Sequence, residues 1–151
     1  MTLNERIGQD ITAAMKARDA GRLSALRMLK AAVMNRGVEK GRDLDDAEVI
    51  QVIGSLVKQR RDAIDQFGKA GRQDLVDKES AEVAVLEEYQ PPAASESDIA
   101  DAVTAAVAEV GATSPKDMGK VMKVVQSRLV GKTVDGRVVS ESVKRALAGG
   151  A

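Results

Sequence analysis

The ten residues 86-LEEYQPPAAS-95 decide the fold of this 151-residue chain. Proline has no amide hydrogen and its ring clashes with the preceding helical turn, so Pro91 and Pro92 must end any helix that reaches them. The residues that follow, up to Ser95, have the composition of a short linker. We therefore divide the chain into two predicted domains, residues 1–92 and residues 93–151.

Four helical patterns precede the double proline. A capping side chain followed three residues later by an acid, which marks a helix start, occurs at Thr2 with Glu5 and at Asp45 with Glu48. Gly21 interrupts the pattern between the first two helices, and later glycines end the second and third. Apolar residues at helical spacing predict a helix at about residues 3–19, a second from 22 to between 37 and 41, a third from 46 to 68 or 71, and a fourth at 72–89.

Three more helical patterns follow the linker. Ser95 with Asp98 repeats the capping pair before a fifth helix, and Ser114 with Pro115 opens a sixth. A break at residues 131–136 separates the sixth helix from a short seventh one. The predicted fold is all-α, with a four-helix bundle followed by a three-helix bundle.

One local alternative to this helical fold lies at residues 134–138. Asp135-Gly136 is a dipeptide typical of tight hairpin turns, and the β-branched Val134 and Val138 flank it. A ribbon of so few residues is marginal on its own, so we favour the helical interpretation.

Several residue types that carry chemistry are missing from the chain. It has no Cys, His or Trp, and its aromatic residues are Phe67 and Tyr89. It therefore lacks a thiolate nucleophile and the side chain that exchanges protons most readily near neutral pH. We predict no catalytic residue, no cofactor and no metal ion. With so few rings for unpaired bases to stack on, any nucleic acid partner is expected to be structured RNA.

The distribution of apolar residues argues against a membrane protein. The longest uncharged run, residues 49–57, is much shorter than a membrane-spanning helix, and charges in the first turns exclude a secretory signal. We predict a cytoplasmic protein with no membrane partner.

Charge is distributed unevenly along the chain, although the formal net charge is zero. Residues 111–147 carry eight Lys or Arg against three acids, a net charge of +5. Residues 1–110 carry fifteen bases against twenty acids, a net charge of −5. A compact basic segment is the electrostatic signature of a protein that binds the phosphate groups of nucleic acid.

The cations of this segment form the candidate site. At about 100° per residue, Lys116, Lys120 and Lys123 share one face of the sixth helix, opposite an apolar face. Such lysines can equally be a solvated helix surface, but more cations follow in the next turn and helix, where acids are too few to neutralise them. The predicted RNA-binding set is Lys116, Gly119, Lys120, Lys123, Lys132, Arg137, Lys144 and Arg145.

Gly119 belongs to this set because a glycine inside a helix costs up to about 1 kcal/mol relative to alanine. Two explanations for it are open. The missing side chain allows either the close approach of a partner's backbone or packing against the fifth helix.

Charged residues of the N-terminal domain have structural explanations. Arg60 falls on the apolar stripe of the third helix, so we expect it to pair with Glu79 or Glu82 of the fourth, with a phosphate contact as the alternative. The acids between residues 43 and 48 lie in the first turn of a helix. We interpret them as helix caps and not as metal ligands.

Three parts of the chain carry a family resemblance: residues 26–32 (LRMLKAA), residues 59–62 with 69–75 (QRRD and KAGRQDL), and residues 116–122 (KDMGKVM). In this order they resemble the YqeY family over essentially the whole chain. The C-terminal part is also similar to the tail domain of the B subunit of glutamine-dependent aminoacyl-tRNA amidotransferase. The resemblance implies four helices followed by three, a tail that holds tRNA, and a relation to carbon–nitrogen ligases that use glutamine as amide donor.

Together, these observations predict a non-catalytic tRNA-binding accessory module in translation. Its partners would be tRNA and an aminoacyl-tRNA synthetase or amidotransferase subunit. Two alternatives are open: direct participation in an amidotransferase reaction, and a helical adaptor that binds proteins without RNA.

Overall fold

Apolar side chains at helical spacing form seven α-helices in the computed structural model, which describes residues 1–149. The first four are α1 (Leu3–Lys16), α2 (Ala20–Lys40), α3 (Asp46–Lys69) and α4 (Gln73–Glu87). The other three are α5 (Glu96–Val110), α6 (Met118–Arg128) and α7 (Gly136–Gly149). The predicted all-α fold is confirmed: in the described part of the chain, β pairing is limited to an isolated bridge between Ala93 and Thr133.

Contacts divide the chain into two units, Met1–Gln90 and Pro91–Ala151, each with its own apolar core. The first core includes Ile7, Leu26, Leu29, Val33, Val49, Ile53, Val57, Val83 and Leu86. The second includes Ile99, Val103, Ala106, Val121, Val125, Val139, Val143 and Leu147. The domain boundary predicted after residue 92 lies close to this division, and independent folding of the two domains stays a prediction.

Asp45 and Glu48 form a cap at the start of α3. The Asp45 carboxylate accepts the Glu48 N–H at 2.9 Å, and Glu48 in return accepts the Asp45 N–H at 3.1 Å. Glu48 also binds Arg42 at 2.7 Å and contacts Lys40, and these hydrogen bonds hold the pKa of Glu48 well below its usual range. Asp46 accepts the N–H of Leu3 at 2.9 Å. Across residues 1–149, no group of three or more acids is placed to hold a metal ion.

The boundary between α1 and α2 differs from the predicted one. α1 ends at Lys16, three residues earlier than expected, because Arg18 takes a left-handed conformation with φ of 54°. Asp19 then starts α2, its carboxylate accepting the Arg22 N–H at 3.1 Å. Gly21 lies within the first turn of α2 and does not interrupt a helix, since the aspartate cap stabilises that turn.

The hairpin considered at residues 134–138 does not form. The Asp135 carboxylate accepts the Arg137 N–H at 2.9 Å, and the Asp135 carbonyl accepts the Val139 N–H at 3.1 Å. Asp135 therefore acts at the start of α7, and Gly136 is the first residue of that helix.

The pairing predicted for Arg60 is confirmed. Its Nε lies 3.0 Å from Glu82 Oε2 and 3.8 Å from Glu79 Oε2, and only 15% of the arginine side chain is exposed. Because two carboxylates of α4 already surround it, Arg60 serves to join α3 to α4.

Tyr89 joins the end of α4 to α1. Its hydroxyl donates a hydrogen bond to the Asp10 carboxylate, and the Arg6 guanidinium lies 4.6 Å from the ring centre. Burial, followed by the hydrogen bond to Asp10, raises the pKa of Tyr89. Tyr89 as a whole is 3% exposed and Phe67 is partly buried, so neither offers an open stacking surface to a base.

We expect Arg60→Ala to lower the free energy of unfolding by about 1 to 3 kcal/mol, because it leaves Glu79 and Glu82 partly buried without a cation. Urea denaturation followed by circular dichroism measures the change. Arg36→Ala is the matched control, since the ion pair of Arg36 with Glu39 is exposed and is worth about 0.5 kcal/mol or less. Equal effects of the two substitutions would contradict a structural role for Arg60.

Candidate nucleic-acid interface

The orientation of α6 is set by its apolar side. Val121 and Val125 are fully buried in the core of the second unit, and Met118 and Met122 pack partly against it. The helix follows the 3-10 turn Pro115–Asp117. The Asp117 carboxylate accepts a hydrogen bond from the N–H of Thr113, which precedes this turn, at 3.1 Å.

Lys116, Lys120 and Lys123 lie on the side of α6 and its preceding turn that faces away from this core. All three are exposed, and within the described residues none of them has an ion-pair partner. The helix Met118–Arg128 contains no acid at all, and Asp117 is engaged with Thr113. The structure therefore places three unneutralised ammonium groups on one helix face.

Lys132 does not extend this surface in the way the sequence suggested. Its Nζ lies 2.7 Å from Asp98 Oδ2, at the start of α5. Nearby, Arg128 pairs with Glu109 of α5 at 3.0 Å. The expectation that no acid neutralises Lys132 is wrong. It counted only the acids of residues 111–147, whereas the acids of α5 precede this segment in sequence and lie beside it in the folded unit.

The remaining cations of the predicted set lie on α7. Arg137 is exposed at the start of that helix and has an interaction partner within the chain. Lys144 and Arg145 are exposed and have no ion pair among residues 1–149. Adjacent helix positions are about 100° apart, so Lys144 and Arg145 point to different sides of α7. Lys116, Lys120 and Lys123 are the cations of the predicted set that share one side of a helix without an acid of that helix beside them, and we call this side the α6 lysine face.

The positive charge belongs to this face and not to the whole second unit. Residues 91–151 carry eight bases but seven acids, since α5 adds four acids to the three of the basic segment. The boundary between the acidic residues 1–110 and the basic residues 111–147 therefore lies inside the second unit. Within it, the acids of α5 neutralise Arg128 and Lys132 and leave the α6 lysine face positive.

Gly119 lies in the first turn of α6 and is exposed. A Cβ atom built at this position meets nothing within 4 Å, so packing against α5 does not explain the glycine. Its backbone is also outside the left-handed region. The other explanation, an approach from outside the chain next to Lys120, stays a prediction.

The chain is similar to a known protein family along most of its length. The chain matches the family described as Yqey-like protein over residues 4–147, which covers both units. The chain belongs to the YqeY family. The match contains all seven helix cores, so the family relation extends to α6 as well as to the first bundle.

Curated relatives of this YqeY-family chain carry the name Altered inheritance of mitochondria protein 41, mitochondrial. The one from Kluyveromyces lactis is 32% identical over 133 residues, which cover 86% of this chain and 70% of the relative. The Lachancea thermotolerans protein is 33% identical over 110 residues, 71% and 59% of the two chains. The Pyrenophora tritici-repentis protein is 29% identical over 141 residues, 92% and 77%. The chain thus spans between 59% and 77% of these relatives.

The names of these relatives place them in mitochondria. In the present family member, no helix of residues 1–149 is both long and apolar enough to cross a membrane.

The ion pair between Asp98 and Lys132 should make the stability of the fold depend on pH in the acid range. The hydrogen bond from Lys132, followed by those from Ser95, lowers the pKa of Asp98 to about 2. A carboxyl whose pKa is lower in the folded state stabilises that state above its unfolded pKa, and the contribution is lost as pH falls through the folded value. We therefore expect the difference in Tm between wild type and Asp98→Asn to shrink between about pH 4 and pH 2. A difference that stays constant over this range would contradict the pairing.

Proposed function

We propose that this chain is a non-catalytic tRNA-binding accessory protein, which contacts the phosphate groups of folded RNA through the α6 lysine face. The observation that supports this most is the absence of any acid on α6, combined with three exposed ammonium groups that no side chain of the described residues neutralises. A lysine face that only served solubility would not need to be free of carboxylates.

The dimensions of the α6 lysine face suit a nucleic acid backbone. Lys116 and Lys123 are seven residues apart, about 10 Å along a helix axis, a length over which duplex nucleic acid presents several phosphates. Gly119 lies between them with no side chain and open space above it, so a phosphate backbone can come close to the helix. The face has cations without a large apolar side chain among them.

The chemistry of the rest of the chain favours structured RNA over unpaired strands. Proteins that bind single strands stack bases on exposed aromatic rings. Here Tyr89 is buried and Phe67 is partly buried, and the chain has no other aromatic residue. Recognition through backbone and shape, as for helical RNA, is the mode that these residues support.

The resemblance of the C-terminal segment to an amidotransferase tail domain adds tRNA as the specific ligand. The likeness concerns the tail that holds tRNA, whereas the amide-transfer chemistry of those enzymes resides in other domains. A tRNA synthetase or an amidotransferase subunit is the protein partner that such a role implies.

The compartment is part of the proposal. The sequence predicted a cytoplasmic protein, whereas the relatives are named as mitochondrial. We propose an aqueous compartment that contains tRNA, a description that fits both the cytoplasm and the mitochondrial interior. The location of a fluorescent fusion in the source organism decides between the two.

Reversing the charge of the α6 lysine face should weaken tRNA binding. In Lys116→Glu/Lys120→Glu/Lys123→Glu we expect the Kd for total tRNA to rise roughly tenfold or more at moderate salt. The plot of the logarithm of the association constant against the logarithm of salt concentration has a negative slope. Its magnitude should decrease by about 2 to 3, since each lost phosphate contact removes about 0.9. Fluorescence anisotropy over a salt series measures both quantities.

The matched control for this variant is Lys58→Glu/Lys69→Glu/Lys78→Glu. It makes the same charge change at three exposed lysines of the first unit that have no ion pair within residues 1–149. It should keep most of the affinity. Equal losses in the two triple variants would show a nonspecific charge effect, and wild-type binding without salt dependence would favour the adaptor that binds proteins only. Purified chain that releases ammonia from glutamine, or transamidates a charged tRNA, would favour the enzyme alternative.

Gly119→Ala separates folding from binding. Alanine is the better helix former, so we expect the variant to be more stable by about 0.5 kcal/mol and yet to bind tRNA more weakly, because the methyl group occupies the space above the helix. Gly54→Ala in α3, where a Cβ atom also meets nothing within 4 Å, is the control and should change stability alone. Unchanged tRNA affinity in Gly119→Ala would remove Gly119 from the interface.

A further inference from the structure

The outward side of α2 carries side chains that the core of the first unit does not use. Leu26, Leu29 and Val33 are buried and set the rotation of the helix. At about 100° per residue, five exposed residues fall within an arc of about 100° beside this buried side. We call them the α2 stripe: Arg27, Lys30, Ala31, Met34 and Val38.

The apolar members of the α2 stripe are strongly exposed. Met34 is 60% exposed and Val38 is 80% exposed, and Ala31 lies one turn before them. A helix at the surface of a monomer normally has one apolar side, which faces the core. The exposed apolar side chains of the α2 stripe form a second apolar side on the same helix, which is open to contact with another molecule.

The cations of the α2 stripe are also unused. α2 carries five bases and a single acid. Arg22 pairs with Glu88 at 2.7 Å, Arg36 pairs with Glu39 at 2.9 Å, and Lys40 pairs with Glu48. In the described part of the chain, the two bases of α2 without an ion pair are the two that lie on the stripe, Arg27 and Lys30.

No acid lies within one helical turn of either residue along α2, so their charge is not offset locally. Each would gain from a carboxylate supplied from outside, and the gain is larger where neighbouring apolar contact excludes water.

We propose that the α2 stripe is the docking site for an acidic amphipathic helix of a partner protein. The partner presents carboxylates to Arg27 and Lys30, and apolar side chains to Met34 and Val38. Ala31, in the middle of the stripe, is small enough to let the two helices approach closely. From Arg27 to Val38 the stripe is about 16 Å long, which matches about three turns of a partner helix.

Charge and apolar character together select this occupant. A phosphate backbone would satisfy the two cations but would leave Met34 and Val38 without apolar contact. A second copy of α2 would offer no carboxylate to Arg27 and Lys30, because the stripe contains no acid. An acidic amphipathic helix complements both parts. This surface lies on the first unit and is independent of the tRNA contact proposed for α6.

Two synthetic helical peptides test the docking site. They share one apolar stripe and differ only in flanking positions, which are Glu in the first peptide and Lys in the second. We expect the Glu peptide to bind the full chain saturably, with NMR amide shifts concentrated in residues 23–41, and at least about tenfold more tightly than the Lys peptide.

Substitutions on the α2 stripe should then change the preference. Arg27→Glu/Lys30→Glu should favour the Lys peptide over the Glu peptide. Met34→Ser/Val38→Ser should weaken both peptides, with an unchanged melting curve because both side chains are exposed. Lys58→Glu/Lys78→Glu, which reverses two exposed cations on α3 and α4, is the matched control and should keep the wild-type preference.

Several outcomes would overturn the proposal. These are equal binding of both peptides, shifts outside α2, no exchange of preference in the charge-reversed variant, or a concentration-dependent dimer that Met34→Ser/Val38→Ser dissolves. Shifts of α2 residues on addition of tRNA in place of the peptide would assign the stripe to RNA. The Lys116→Glu/Lys120→Glu/Lys123→Glu variant should still bind the Glu peptide, so the two proposals succeed or fail separately.

Discussion

Burial of Val121 and Val125 sets the rotation of α6, and the character of the proposed interface depends on that rotation. Burying each valine contributes about 1.5 to 3 kcal/mol. Turning the helix by half a turn would lose both contributions and press the ammonium groups of Lys120 and Lys123 into an apolar core, where an unpaired charge is far more costly. The direction in which the lysines point is therefore a consequence of core packing. The same reasoning applies to α2, where Leu26, Leu29 and Val33 direct Met34 and Val38 outward.

The net charge of the chain does not predict the electrostatic potential at any one surface. Salt screens each charge beyond about 8 to 10 Å, so only neighbouring charges contribute strongly. What matters is which charges are neighbours. Acids of α5 neutralise Arg128 and Lys132 at one side of the second unit, whereas α6 has no acid of its own. A chain with zero formal net charge can thus present a positive face, whose affinity for phosphate depends on local geometry.

The two exposed surfaces differ in the chemistry that they offer. The α6 lysine face combines cations with Gly119 and has no large exposed apolar side chain, which suits a phosphate backbone. The α2 stripe combines cations with Met34 and Val38, which suits an amphipathic protein helix. One surface belongs to each unit, and the two proposals together describe an accessory protein that would join an RNA to a protein partner.

The sequence by itself determined the features that depend on near neighbours. The capping boxes at Thr2, Asp45 and Ser95, the division near the double proline and the lysine face of α6 all follow from residues a few positions apart. Only the tertiary structure decided that Lys132 meets Asp98, 34 residues away, and that Tyr89 binds Asp10, 79 residues away. A cap or a helix face is set by the local geometry of one helix. A long-range ion pair or hydrogen bond depends on how separate helices pack. Periodicity shows which side of a helix faces the core, which was enough to predict a partner for Arg60, but it does not show which side chains of a distant helix lie at the edge of that side.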